Sequence, residues 1–194
     1  MPDLAPDLDG LDRARAAFLD RVGAMTDAQR AFRPAPAAWS PVEIAEHVWR
    51  TEAGIVRGLE RQAGGDRRDL GPRQPGGLDR LAERMRSGRR LRMPERSAKY
   101  VAPQGAGWET VREGWRATAA DWRRVAAALP DDMAGVGVIR HPVSGPLTPA
   151  ESVRFAGLHL EHHGRQLDRT VGADGFPAAP ERGGATDRRP SGRP

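Results

Sequence analysis

Thr148-Pro149-Ala150-Glu151-Ser152-Val153-Arg154-Phe155-Ala156-Gly157-Leu158-His159-Leu160-Glu161-His162-His163-Gly164-Arg165-Gln166-Leu167 is the stretch that decides how this chain folds. A threonine able to cap, a proline suited to the first turn, and a glutamate three residues after the threonine announce the start of a helix. Behind them Ser152, Ala156, His159, Leu160, His163 and Leu167 recur at three- and four-residue steps. That is the inward stripe of an amphipathic helix. Two of its members are histidines, in positions where an apolar side chain is expected.

Working outward, the same cap chemistry returns at Ser40-Pro41-Val42-Glu43, and the stripe behind it reads Ile44, His47, Val48, Thr51, Ile55, Leu59. Upstream, Leu8, Leu11, Ala14, Phe18, Val22 and Met25 make an ordinary amphipathic helix with arginines and aspartates on its other face. Between the two capped helices, Trp108, Trp115 and Trp122 recur every seven residues. With Val111, Thr118, Val125 and Leu129 they form the seam of a bundle helix, so the indoles read as core. A shorter helix is expected from Leu78 to about Arg86. Gly135-Val136-Gly137-Val138-Ile139 is briefly strand-like and, lying between helices, reads as a loop. Four long helices with two short connections and one long one predict an all-α fold, an antiparallel four-helix bundle with a long connection between helices two and three.

The expected domain covers residues 1–172, with 64–107 as the long Arg-rich connection and 173–194 as a disordered tail, since Gly, Pro, Arg and Ala there leave almost nothing to bury. A chain of 194 residues suffices for one core. The absence of cysteine removes disulfides, thiolate zinc sites and cysteine nucleophiles. The segment from Met1 to Asp7 is acidic and broken by proline, and no apolar run approaches the roughly 18 residues of a membrane span. No membrane is expected, and the location is expected to be cytoplasmic. The net charge of +5 is unevenly placed: 64–107 carries +6 and 173–194 carries +1, which leaves −2 for the remainder. The predicted core is therefore not basic. A basic stretch rich in Gly and Pro reads as a solvated loop, so nucleic acid is not an expected partner.

Four of the five histidines lie on two helices, and His47, His159 and His163 face inward. His159 and His163 are four residues apart, so their rings stand one turn above each other, able to grip one ion. His47 joins them if its helix is suitably offset along the bundle axis. Three neutral imidazoles suit a divalent metal ion such as zinc, nickel or iron and leave positions open for water or substrate. The competing reading is three core histidines, each satisfied by a hydrogen bond. His162 points about 100° around the helix from His163, as a supporting or surface residue. Gln166, one turn beyond His163, is placed to orient a bound water or substrate. His141, in the loop before the last helix, reads as structural. His159-Leu160-Glu161-His162-His163 departs from HExxH at its second position, so the general base of a zinc protease is missing. Glu43 has a capping role and Glu52 lies off the His47 face, so neither is assigned as a base, and catalytic residues stay unassigned.

Trp39-Ser40-Pro41-Val42-Glu43-Ile44-Ala45-Glu46-His47, His141-Pro142 with Gly145-Pro146-Leu147-Thr148, and His159 through Leu167 together resemble the DinB-like superfamily, which includes YfiT-type and bacillithiol- or mycothiol-dependent transferases. The resemblance covers most of Leu8 to Thr170 in helix order. It implies a four-helix bundle with a long connection after helix two, a homodimer, and a divalent metal held by three histidines, which fall here on His47, His159 and His163. It also implies a small-molecule partner: a metal-dependent transfer of a low-molecular-weight thiol cosubstrate onto an electrophile, or hydrolysis at the same metal. The alternative is a non-catalytic metal-binding stress or sensor protein. Arg89, Arg90 and Arg92 of the connection are candidates to attract an anionic thiol, although solvated surface explains them as well.

Overall fold

The computed structural model describes residues 3–65, 68–87 and 95–179. Among them lie α1 (Ala5–Gly23), α2 (Asp27–Ala31), α3 (Pro41–Ala63), α4 (Gly77–Arg86), α5 (Glu95–Val101), α6 (Trp108–Ala128) and α7 (Pro149–Val171). A hairpin of β1 (Ile139–His141) and β2 (Gly145–Leu147) precedes the last helix. The fold is all-α in its load of core residues, as the stripes predict. Both expected capping boxes are formed, Ser40 with Glu43 at α3 and Thr148 with Glu151 at α7. All six stripe residues of α7 are buried.

The four long helices close into a ring. α3 packs against α6 and α7, and α1 packs against the same two. Cross-contacts fix the directions. Asp9 and Asp12 meet Arg123, Phe18 meets Trp115, and Gly23 lies under Trp108, so α1 and α6 run oppositely. Trp49 in the first half of α3 donates to Thr118 in the middle of α6, and further on Glu60 accepts from Arg124, so α3 and α6 run the same way, a departure from the antiparallel order expected. The long connection follows from this. A chain leaving the far end of a 23-residue helix must return about 35 Å before a like-directed neighbour can begin. α4 and α5 occupy that return path, α4 against α7 and α5 against α3.

The structure departs from the stripes at several points. In α1 the buried residue is Arg15 and Ala14 is exposed, because Arg15 meets Glu52 of α3 in the core. Trp108 is only partly buried, whereas Trp115 and Trp122 are core. The run read as a loop ends in a strand: Ile139 pairs with Leu147, Arg140 with Pro146 and His141 with Gly145. Two glycines make that hairpin possible. Gly145 adopts φ +75°, which an L side chain avoids, and a Cβ on Gly58 of α3 would meet Ile139 Cγ2 at 2.5 Å. Past α7, Phe176 packs edge-on against Phe32 at 5.4 Å and the Pro177 carbonyl accepts from Gln29, so the first part of the expected tail lies against the α2 region. The rest of that tail, 180–194, lies outside the described residues, as do Arg89, Arg90 and Arg92. No helix of the described residues is long and apolar enough to cross a membrane.

Candidate metal centre

The three inward histidines meet. His47 stands two turns into α3, His159 and His163 stand at and just past the middle of α7, and the packing of α3 on α7 brings the two stretches level along the bundle axis. His159 Nε2 lies 3.1 Å from His47 Nε2 and 3.1 Å from His163 Nε2. All three residues are buried, and they are the group of potential ligands that converges among the described residues.

Counting protons tests whether these are simply satisfied core histidines. His47 Nδ1 is 2.8 Å from the Val101 carbonyl oxygen, which can only accept, so Nδ1 carries the proton and Nε2 is bare. His163 Nδ1 lies 2.8 Å from Gln166 Oε1, and with that oxygen accepting, its Nε2 is bare as well. His159 Nε2 can offer at most one proton to two bare nitrogens. At least one pair of lone pairs therefore faces across 3.1 Å, a repulsive arrangement in a hydrogen-bonded core and a favourable one around a cation. Two nitrogens each about 2.0–2.1 Å from one ion stand about 3.0–3.5 Å apart. The residues thus fit a divalent metal in donor type, spacing and protonation.

The protonation follows from the surroundings. Burial holds His47 down to about 4, reinforced by the charge of His162 and opposed by its bond to Val101. Burial first, and neighbouring histidines second, hold His159 and His163 well below the usual histidine range. All three are neutral near pH 7, the form that ligates. Trp39 leans over His47 with ring centroids 4.7 Å apart, and Phe155 lies 5.5 Å from the ring of His159, so aromatic walls keep water from two sides. His159 Nδ1 is buried with no hydrogen-bond partner among the described residues.

The other candidates take supporting places. Gln166 orients His163 rather than a water or substrate. His162 Nδ1 donates to the Met85 carbonyl at 3.2 Å and helps dock α4 on α7. His141 Nδ1 accepts from the amides of Val143 and Ser144, which makes it the keystone of the hairpin turn. Glu43 is consumed by the Ser40 cap and an ion pair with Arg33. Glu52 is fully buried with Arg15 and Trp115. The residue that stripe reasoning passed over is Glu46, 1% exposed, whose carboxylate accepts the amides of Gln104, Gly105 and Ala106 at 2.8, 3.1 and 3.0 Å. Its signal in the sequence was only its place beside His47, because its partners are backbone atoms 58 to 60 residues away.

Neither a curated protein nor a solved structure matches this chain. A family model does, over residues 10–167, a span that contains all three histidines and the four long helices apart from the ends of α1 and α7. The chain belongs to the DinB superfamily.

Proposed function

We propose that His47, His159 and His163 hold one divalent metal ion and that the protein is a metal-dependent enzyme transferring a low-molecular-weight thiol onto an electrophilic small molecule. The observation that carries the metal is the proton count: two 3.1 Å contacts between ring nitrogens and one proton to share between them. A divalent ion supplies Lewis acidity, lowering the pKa of a coordinated thiol or water so that a nucleophile exists near neutral pH. The chain's own residues hold the rings, with Val101 and Gln166 fixing two of them, and Trp39 and Phe155 wall the site.

Thiol transfer is favoured over hydrolysis by the fate of the carboxylates. Water attack is usually assisted by a positioned general base. On α3, Glu43, Glu46 and Glu52 are each committed to a cap, to backbone amides or to Arg15. A thiol that ionises on binding has less need of such a base, and a chain without cysteine takes its sulfur from the cosubstrate. The choice among zinc, nickel and iron, the cytoplasmic location and the homodimer belong to the same proposal. A non-catalytic metal sensor is its rival.

Metal analysis of purified protein tests the site directly. The wild type is expected to carry about one equivalent and to gain about 2.7 kcal/mol of stability at a free metal concentration 100 times Kd. His159→Ala is expected to lose both. Unchanged metal content in that variant removes the three-histidine site. Incubating loaded protein with a panel of thiols and a chromogenic electrophile then separates the classes. Metal-dependent consumption of a thiol supports the transferase, release of product with water alone supports hydrolysis, and no turnover favours the sensor.

A further inference from the structure

A bundle helix gains nothing from burying a lone carboxylate. Removing such a charge from water costs several kcal/mol unless partners replace the lost hydration. Glu46 is nevertheless 1% exposed, immediately before a metal-ligand candidate on α3, and its nearest cation, Arg50 Nη1, is 4.0 Å away. The replacement comes from backbone. Glu46 Oε1 accepts from the Gln104 amide and Oε2 from those of Gly105 and Ala106. Two neighbours on the same helix hold the same strap of chain: Arg50 Nη2 donates to the Tyr100 carbonyl at 3.2 Å and His47 Nδ1 to the Val101 carbonyl at 2.8 Å. Three residues of α3 thus grip residues 100–106 through five hydrogen bonds to main-chain atoms, and one of the five is made by the far side of a ligand ring. Within the strap Tyr100 is 65% exposed, while Ala106 packs against the core.

We infer that Glu46 is a positioning residue of the metal centre: by gripping the amides of residues 104–106 it holds the Val101 carbonyl where it sets the tautomer and orientation of His47. The inference rests on the metal-binding reading of the site. Gln166 does the same for His163 within a single helix turn. His47 has no such side chain in its own helix and takes its acceptor from the strap. Without the clamp, Val101 can drift from Nδ1. The proton is then free to move to Nε2, which would turn the lone pair needed for ligation into an N–H.

The test is Glu46→Gln in the full chain, with Glu52→Gln as its control, a second buried carboxylate on α3 that does not touch the strap. Long-range proton–nitrogen NMR of the metal-free protein reads the His47 tautomer, and competition with a chromogenic chelator reads the zinc Kd. In the wild type the Nδ1–H form of His47 is expected. In Glu46→Gln a mixture of tautomers is expected, together with a 10- to 100-fold weaker zinc Kd, the usual cost of losing an outer hydrogen-bond partner. Glu52→Gln is expected to lower Tm while leaving tautomer and Kd in place. The inference is overturned if Glu46→Gln keeps both wild-type values, or if the two variants weaken zinc equally. Glu46→Asp keeps the charge, shortens the reach by one methylene and carries the same readouts should the amide variant not fold. A wild type that binds no zinc defeats the metal reading, whereas the tautomer comparison in metal-free protein still judges the clamp.

Discussion

Two polar clusters are buried in this bundle, and they are built on opposite terms. In one, Arg15 of α1 donates through Nε and Nη2 to Glu52 Oε2 at 3.2 and 2.8 Å, and Trp115 of α6 donates to Glu52 Oε1 at 3.0 Å. A cation meets an anion and both carboxylate oxygens have donors. In the other, His47, His159 and His163 bring bare ring nitrogens together with too few protons to go round. The first cluster is complete as it stands and ties three helices together. The second leaves lone pairs facing one another, an arrangement that a cation could complete and a structural knot does not need.

Acid should separate the two most sharply. Burial holds His47 and His141 at about 4 and keeps His159 and His163 well below the usual histidine range, whereas an unfolded chain protonates its histidines near 6.5. Below that value the unfolded state takes up protons that the folded state refuses, so stability is lost as pH falls from about 6.5 toward 4. Each histidine contributes up to about 1.4 kcal/mol per pH unit where its folded and unfolded states differ by a whole proton. Glu52 has the opposite sign. Burial pushes its carboxyl up against the pull of Arg15, so its contribution is lost as pH rises above the ordinary 4.5. Urea titrations of metal-free protein at pH 7, 6 and 5 measure the balance. A midpoint that does not move would mean that the four histidines are not held neutral by burial.

The knot is next in size. Arg15→Ala strands the Glu52 carboxylate in the core, and breaking a buried pair in this way costs about 3–5 kcal/mol. The zinc Kd is expected to stay within about twofold, because neither partner touches a ligand histidine or the strap. A large loss of zinc affinity at unchanged stability would show that the clusters are coupled and that the contrast between them is false.

The two clusters were also unequally legible. The α7 half of the histidine cluster could be read outright, because a capping box sets where the helix begins and four-residue spacing then puts His159 and His163 on one face. His47 could be read as inward, but its meeting with them depends on the relative slide of α3 and α7, which packing decides. The knot could not be read, since an arginine on an amphipathic helix is assigned to solvent until a buried partner is known, and Glu52 lies on another helix. For the same reason Ala14 stood in the stripe where Arg15 belongs. The long connection was legible, but the like-directed run of α3 and α6 was not, because the stripes fix the inward face of each helix and leave its direction to packing. Glu46, α5 and the hairpin escaped because their partners are backbone amides and carbonyls, which carry no side-chain pattern to read.

The smallest expected effect falls inside the metal centre and asks whether its supports are as dispensable as the knot. Gln166 Oε1 fixes the proton of His163 on Nδ1 from one turn away, and both residues belong to α7. In Gln166→Ala the ring keeps its place on the helix and loses only the acceptor, so water can take over the bond at a partly exposed position. The expected loss is about tenfold in zinc affinity, or about 1.4 kcal/mol, the low end for an outer partner. Stability without metal should change by less than about 1 kcal/mol. Set beside Arg15→Ala, which should remove stability and spare zinc, this variant should remove zinc affinity and spare stability. Chelator competition and thermal melts on both proteins give the four numbers. If Gln166→Ala instead lowers Tm and leaves the zinc Kd unchanged, Gln166 serves packing and the orientation of His163 is set by the bundle alone.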